Sequence, residues 1–158
     1  MKDMSSVARF ESIFANQLGG RELSSFSAAD FRTAIAAQVS NDQMEIAEAL
    51  GEAAISLYPE SEDVLSIVAL MAEMREDWLA AAELLQKLME VQGESTPPAV
   101  WQHWIRVLRC LCEPYEALNA ANEAVAKYPD DQTLQDELND LTIWIDEAQL
   151  FPAELSLN

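Results

Sequence analysis

Two Tyr-Pro doublets, Tyr58-Pro59 and Tyr128-Pro129, end stretches of helical pattern, and counting back from each proline meets the same residues at the same distances. A large aromatic, Phe31 or Trp101, lies 28 residues before the proline, and alanines lie 12 and 5 residues before it (Ala47 and Ala54, Ala117 and Ala124). Between them a third copy fits, with Leu65, Ala81, Leu85 and Leu88, and with Gly93 in the proline's place. The copies start near residues 28, 62 and 98, at spacings of 34 and 36, and the two extra residues fall in the loop 93–98 (GESTPP). A period of this length marks stacked supersecondary units, none of which can bury its apolar face alone.

The units read as helices. Val7, Phe10, Phe14 and Leu18 form one stripe over 6–18, which Gly19-Gly20 stops. Ser27, with Asp30 three residues later, is a good N-cap for a helix over 28–40. Further helices are predicted over 43–57, 61–75, 78–91, 99–112, 115–128 and 132–150, with breaks at Asn41-Asp42, Pro59, Glu76-Asp77, Glu113-Pro114 and Pro129-Asp130. No segment of useful length has a strand period. Four glycines and six prolines are too few for a turn-dense sandwich. The expectation is an all-α chain of about eight helices ending in a frayed tail over 151–158.

The pattern resembles the tetratricopeptide repeat (TPR) family. The match is carried by the large residue early in each first helix (Phe31, Leu65, Trp101), by Val68-Ala69 and Trp104-Ile105, and by the small residues Ala47, Ala81, Ala117, Ala54 and Ala124 of the second helices. Small residues are needed where two backbones cross closely, and a bulky one fills the hole opposite. The sequence departs from the family where Gly51 and Ala121 stand in place of a large aromatic, Leu88 in place of alanine and Gly93 in place of proline. The resemblance implies a TPR-like helical-hairpin solenoid, one domain with repeats over 28–61, 62–95 and 98–131. A repeat array needs caps. The helix over 132–150, with Leu134, Leu138, Leu141 and Ile145 on one face and acids on the others, suits a solvating C-terminal cap. For the helix over 6–18 three uses stay open: a cap, a homodimer contact, or a plug in the groove.

Composition narrows the partners. Nine basic against 28 acidic residues give a net charge of −19, which repels nucleic acid and anionic membrane. The charge is uneven: residues 41–77 carry −9 and 130–158 carry −8, whereas 78–129 carry only −2. Half the residues are hydrophobic, enough for a real core, but no uncharged apolar run is long enough to span a bilayer and the N-terminus does not read as a secretory signal. Cys110 and Cys112, two apart in a helical stretch, point about 200° from each other and read as reduced, partly buried thiols of a cytoplasmic protein.

Catalytic and cofactor chemistry has no visible carrier. The chain has one histidine, His103, and no phosphate loop, glycine-rich dinucleotide turn, metal motif or EF-hand spacing. The expectation is a non-enzymatic protein with no cofactor and no metal.

In the TPR family the first helix of each repeat lines a concave groove that holds peptides or helices. Carried over by register, the groove positions are Arg32; Ser66, Leu70, Glu73 and Met74; and Gln102, His103, Arg106 and Arg109. His103, Arg106 and Arg109 share one helical face, a basic cluster in an acidic chain, and arginine forks bind carboxylates. The arginines can equally pair with neighbouring acids such as Glu73 or Asp77. Arg32 sits at one position of the family's carboxylate clamp, but Ala36 replaces the asparagine that should follow, which argues against a chaperone-tail receptor. Leu70 and Met74 beside arginines suit a mixed apolar and acidic protein segment. Size, acidity and architecture look like the small TPR chaperones and accessory proteins of bacterial type III secretion. The other open role is a structural subunit or adaptor that docks through its end helices.

Overall fold

The computed structural model describes residues 22–150. After a short 3-10 turn at Leu23–Ser25, seven helices follow: α1 (Ala28–Ser40), α2 (Met44–Leu57), α3 (Glu62–Met74), α4 (Trp78–Gln92), α5 (Pro98–Cys110), α6 (Pro114–Lys127) and α7 (Gln132–Leu150). The predicted helix at 6–18 and the predicted frayed tail lie outside the described residues. Helix starts follow local chemistry. Ser27 and Asp30 form a reciprocal capping box on α1, with bonds of 3.1 and 3.0 Å. Asp77 and Asp131 accept from the first-turn amides of Ala80 and Leu134. Pro98 and Pro114 open α5 and α6, where a missing N–H costs nothing.

The helices pair as antiparallel hairpins α1–α2, α3–α4 and α5–α6, with α7 against α6. The turn inside each hairpin is the same Schellman motif. Asp42, Glu76 and Cys112 take φ of 58°, 59° and 60°. The amide after each reaches back five residues: Gln43 to Gln38 and Asp77 to Ala72 at 2.9 Å, Glu113 to Leu108 at 3.0 Å. These left-handed residues stand 34 and 36 apart, so the backbone repeats with the period of the side chains.

Cys112 therefore lies beyond α5, in the left-handed turn, and it and Cys110 are exposed. This corrects the expectation of two partly buried thiols within one helix: the chain stops being helical at Cys110 so that α6 can fold back.

The core is three linked clusters. Each hairpin buries its own small and large residues and borrows apolar groups from the next. Phe31, Ile35, Ala47, Leu50 and Ala54 are closed by Val64 and Met71 of α3. Leu65, Ala69, Ala81, Leu85 and Leu88 are closed by Val107 of α5. Trp101, Ile105, Ala117, Ala121 and Ala124 are closed by Leu134 and Leu141 of α7. Gly51 is explained by one such junction: a Cβ there would stand 3.3 Å from Val68 Cγ2, leaving no room for an aromatic.

The Tyr-Pro doublets close the hairpins. The Tyr58 hydroxyl donates to the Phe26 carbonyl at 2.6 Å, and the Tyr128 hydroxyl donates to the Thr96 carbonyl at 2.6 Å, each spanning 32 residues. The middle hairpin has Gln92 at the matching position, and its side-chain amide donates instead to Glu62 at 2.9 Å while its Oε1 is buried without a partner.

Two outcomes follow for stability. Tyr58→Phe and Tyr128→Phe should each cost about 0.5–1.5 kcal/mol in chemical denaturation, the worth of one hydrogen bond. Glu76→Gly should stabilise by up to about 1 kcal/mol, because the left-handed cost of about 1–2 kcal/mol exceeds the roughly 0.5–1 kcal/mol entropic penalty of glycine. A destabilised Glu76→Gly would show that its φ is not strained.

Candidate functional site

Helices α1, α3 and α5, the first of each hairpin, share one face. A depression of about 290 Å³ lies on it, lined by Arg32 of α1, Ser66, Ile67 and Leu70 of α3, Leu85 and Leu88 of α4, and Ala99, Val100 and His103 of α5. Four of the nine candidate residues, Arg32, Ser66, Leu70 and His103, thus meet around one hollow. Its floor is apolar, and Leu70 stays 39% exposed at its edge. Met74, one turn further along α3, is 53% exposed. Gln102 is half-buried on α5. Met74, Gln102, Arg106 and Arg109 do not line the hollow.

Glu73 has a different place. It is only 6% exposed, next to the hollow, with one carboxylate oxygen 2.8 Å from His103 Nδ1 and the other bonded to the Arg106 guanidinium. Burial pushes the Glu73 carboxyl up, but the hydrogen bonds and charges of His103 and Arg106 outweigh it and hold the group below its ordinary value. An ionised Glu73 can only accept, so His103 Nδ1 carries the proton and donates to it. Arg106 also lies 3.0 Å from Nδ1, but two donors face each other there, so that approach is a contact and not a bond.

The remaining cations of this face are also paired. Arg32 reaches Asp63 at 2.7 Å, and Arg109 reaches Glu137 of α7 at 2.7 Å. The Ser66 hydroxyl donates to the Asp63 carbonyl at 3.1 Å. Arg109 is therefore drawn toward the C-terminal helix and away from the hollow. Spacing places Arg106 and Arg109 on one side of α5, but Glu137 lies 28 residues beyond Arg109 and only the fold brings the two together. Among the described residues, no group of three His, Cys, Asp or Glu is placed to hold a metal, and no helix is long and apolar enough to cross a membrane.

A second hollow, of about 390 Å³, was not anticipated from the sequence. It lies between α4, α5 and α6 and is lined by Met89, Trp101, Trp104, Leu108 and Ala120, with Glu90, Glu116 and Glu123 among its polar residues. Trp101 and Trp104 read by periodicity as core, and nothing in that pattern marks an opening beside them.

No protein-family model and no curated protein matches the sequence. Solved structures do. The chain is similar to the structure described as MamA MSR-1 C2, with a TM-score of 0.69 and 15% identity over 92% of this chain and 82% of that one. It is similar to MamA AMB-1 C2221, with a TM-score of 0.69 and 14% identity over 92% of this chain and 84% of that one. At these identities the likeness concerns the fold. The chain is an all-α, TPR-like helical-hairpin solenoid.

The geometry of Glu73 gives two outcomes. Arg106→Glu should lower stability by about 1–3 kcal/mol, because it removes a donor from a buried carboxylate and adds a like charge, whereas Arg109→Glu, at an exposed pair, should cost no more than about 1 kcal/mol. The folded-state value of Glu73 is depressed, so its contribution is present above the unfolded carboxyl value and is lost as pH falls through the folded value. Thermal melts of wild type and Glu73→Gln should therefore differ at pH 7, and the difference should shrink as pH falls from the ordinary value of 4.5 through the depressed folded value. A constant difference across that range would show that ionised Glu73 adds no stability.

Proposed function

We propose that the chain is a non-enzymatic protein–protein interaction module that holds a partner segment in the groove formed by α1, α3 and α5. The observation that carries this reading is the hollow between these helices, whose edge keeps Leu70 exposed beside Met74 while Arg32 lines it in a chain of net charge −19. Apolar side chains of the segment would cover Leu70 and Met74, which supply burial and adapt their shape. Ser66, Gln102 and His103 offer polar contacts. Arg32 and Arg109 sit in exposed ion pairs worth about 0–1 kcal/mol, so acidic groups of a segment can compete for them. Arg106 is tied to buried Glu73, and this pair holds the wall between α3 and α5. The preferred ligand is thus a mixed apolar and acidic protein segment. A narrower form of the reading is a cytoplasmic, secretion-type chaperone, supported by the acidity and the hairpin architecture.

A second reading, a structural subunit docking through its end helices, is favoured by Ile143 and Trp144, which are both exposed on α7, Ile143 opposite the face that packs on α6 and Trp144 at its flank. Affinity capture from native extract separates the two. Leu70→Asp/Met74→Asp should lose the protein that the wild type holds, with melting unchanged within a few degrees. A catch kept by that variant and lost by Ile143→Asp/Trp144→Asp would move the interaction to the end helix.

A further inference from the structure

The second hollow opens on the other side of the hairpin stack from the groove, between the outer helices α4 and α6 and over α5. Its floor is aromatic and apolar: Trp104 is half-buried there, with Met89, Leu108 and Ala120. Trp101, 4% exposed, forms part of the same wall, and its indole N–H is buried without an acceptor. The rim is acidic from both sides, Glu90 on α4 and Glu116 and Glu123 on α6. Glu90 and Glu116 make no ion pair among the described residues. The wider 36-residue step of the repeat falls at this junction, where the loop 93–98 separates α4 from α5.

The chain already displays, next to this hollow, the interaction that such a surface favours. Lys127 Nζ lies 5.6 Å from the centroid of the Trp101 ring, 3.2 Å from Glu94 and 3.9 Å from Glu123. A cation over an indole face and between carboxylates gains from both the ring quadrupole and the charges. Lys127 is not among the lining residues, so the space beside Trp104 and between Glu90 and Glu116 stays open.

We propose that this hollow is a second binding site that takes an arginine side chain from a partner protein segment, with its guanidinium plane on Trp104 and its donors on Glu90 and Glu116. Arginine suits the site better than lysine: its planar, weakly hydrated head stacks on aromatic rings while its fork engages two carboxylates at once. The charge preference is opposite to that of the groove, so the two faces select different segments.

The test is calorimetric titration of the full chain with a blocked Ala-Leu-Arg-Leu-Ala peptide and with the same peptide carrying citrulline, which keeps the shape and removes the charge. The arginine peptide should bind at least tenfold more tightly. Glu90→Gln/Glu116→Gln should weaken it at least tenfold with unchanged melting. Glu45→Gln/Glu52→Gln, an equal change of charge at exposed positions on α2, should leave the affinity within twofold, and so should Leu70→Asp in the groove. Equal affinity for the two peptides, equal losses in the two glutamine variants, or no binding at millimolar peptide would overturn the site.

Discussion

Among the described residues no hairpin closes its own core, and the rest of the structure depends on that constraint. Val64 and Met71 complete the first cluster, Val107 the second, and Leu134 with Leu141 the third, each supplied by the element that follows. Stability is then a sum of unit and neighbour terms, as in other stacked arrays. The small residues serve this arrangement. Ala47, Ala81 and Ala117 are fully buried at equivalent positions, and Gly51 gives way to Val68, so the second helix of a hairpin can lie close to its neighbours. The first helices are left side by side, and their shared face becomes the groove.

The polar groups of the groove do two different jobs. Glu73 is a buried carboxylate whose burial is offset by His103 and Arg106, so it links α3 to α5 across the boundary between hairpins. Breaking such a buried arrangement by removing one partner is costly, which makes it a structural tie. Arg32–Asp63 and Arg109–Glu137 are surface pairs, each worth about 0–1 kcal/mol and open to exchange with solvent. The same face therefore combines one fixed polar contact with several that can be traded.

Much of the fold could be read from residue order because the repeat is written at two levels. The matching of Phe31 with Trp101 and of Ala47 with Ala117 set the register, and the helix ends came from Ser27, Pro59, Pro114 and Pro129. Asn41-Asp42, Glu76-Asp77 and Glu113-Pro114 mark the breaks, but the left-handed residues Asp42, Glu76 and Cys112 are not glycines, so the turn conformation is not written in the sequence and the helix predicted over 99–112 runs too far into the turn, through Cys112. The site was legible in part. Spacing alone put His103 and Arg106 on one face, but whether Glu73 pointed to solvent or into the wall depended on how closely α5 stacks on α3. The hollow beside Trp101 and Trp104 was invisible for a related reason: a tryptophan at a core position looks the same in sequence whether its neighbours close over it or stand apart.

The central claim, that a partner segment lies along α1, α3 and α5, is tested most directly by a photo-crosslinking residue placed in turn at the positions of Leu70, Met74 and Ser56, in cells that make the native partner. The account predicts one crosslinked protein from positions 70 and 74 and none from position 56, which is exposed on α2. Crosslinks from position 56 with none from the groove would contradict it.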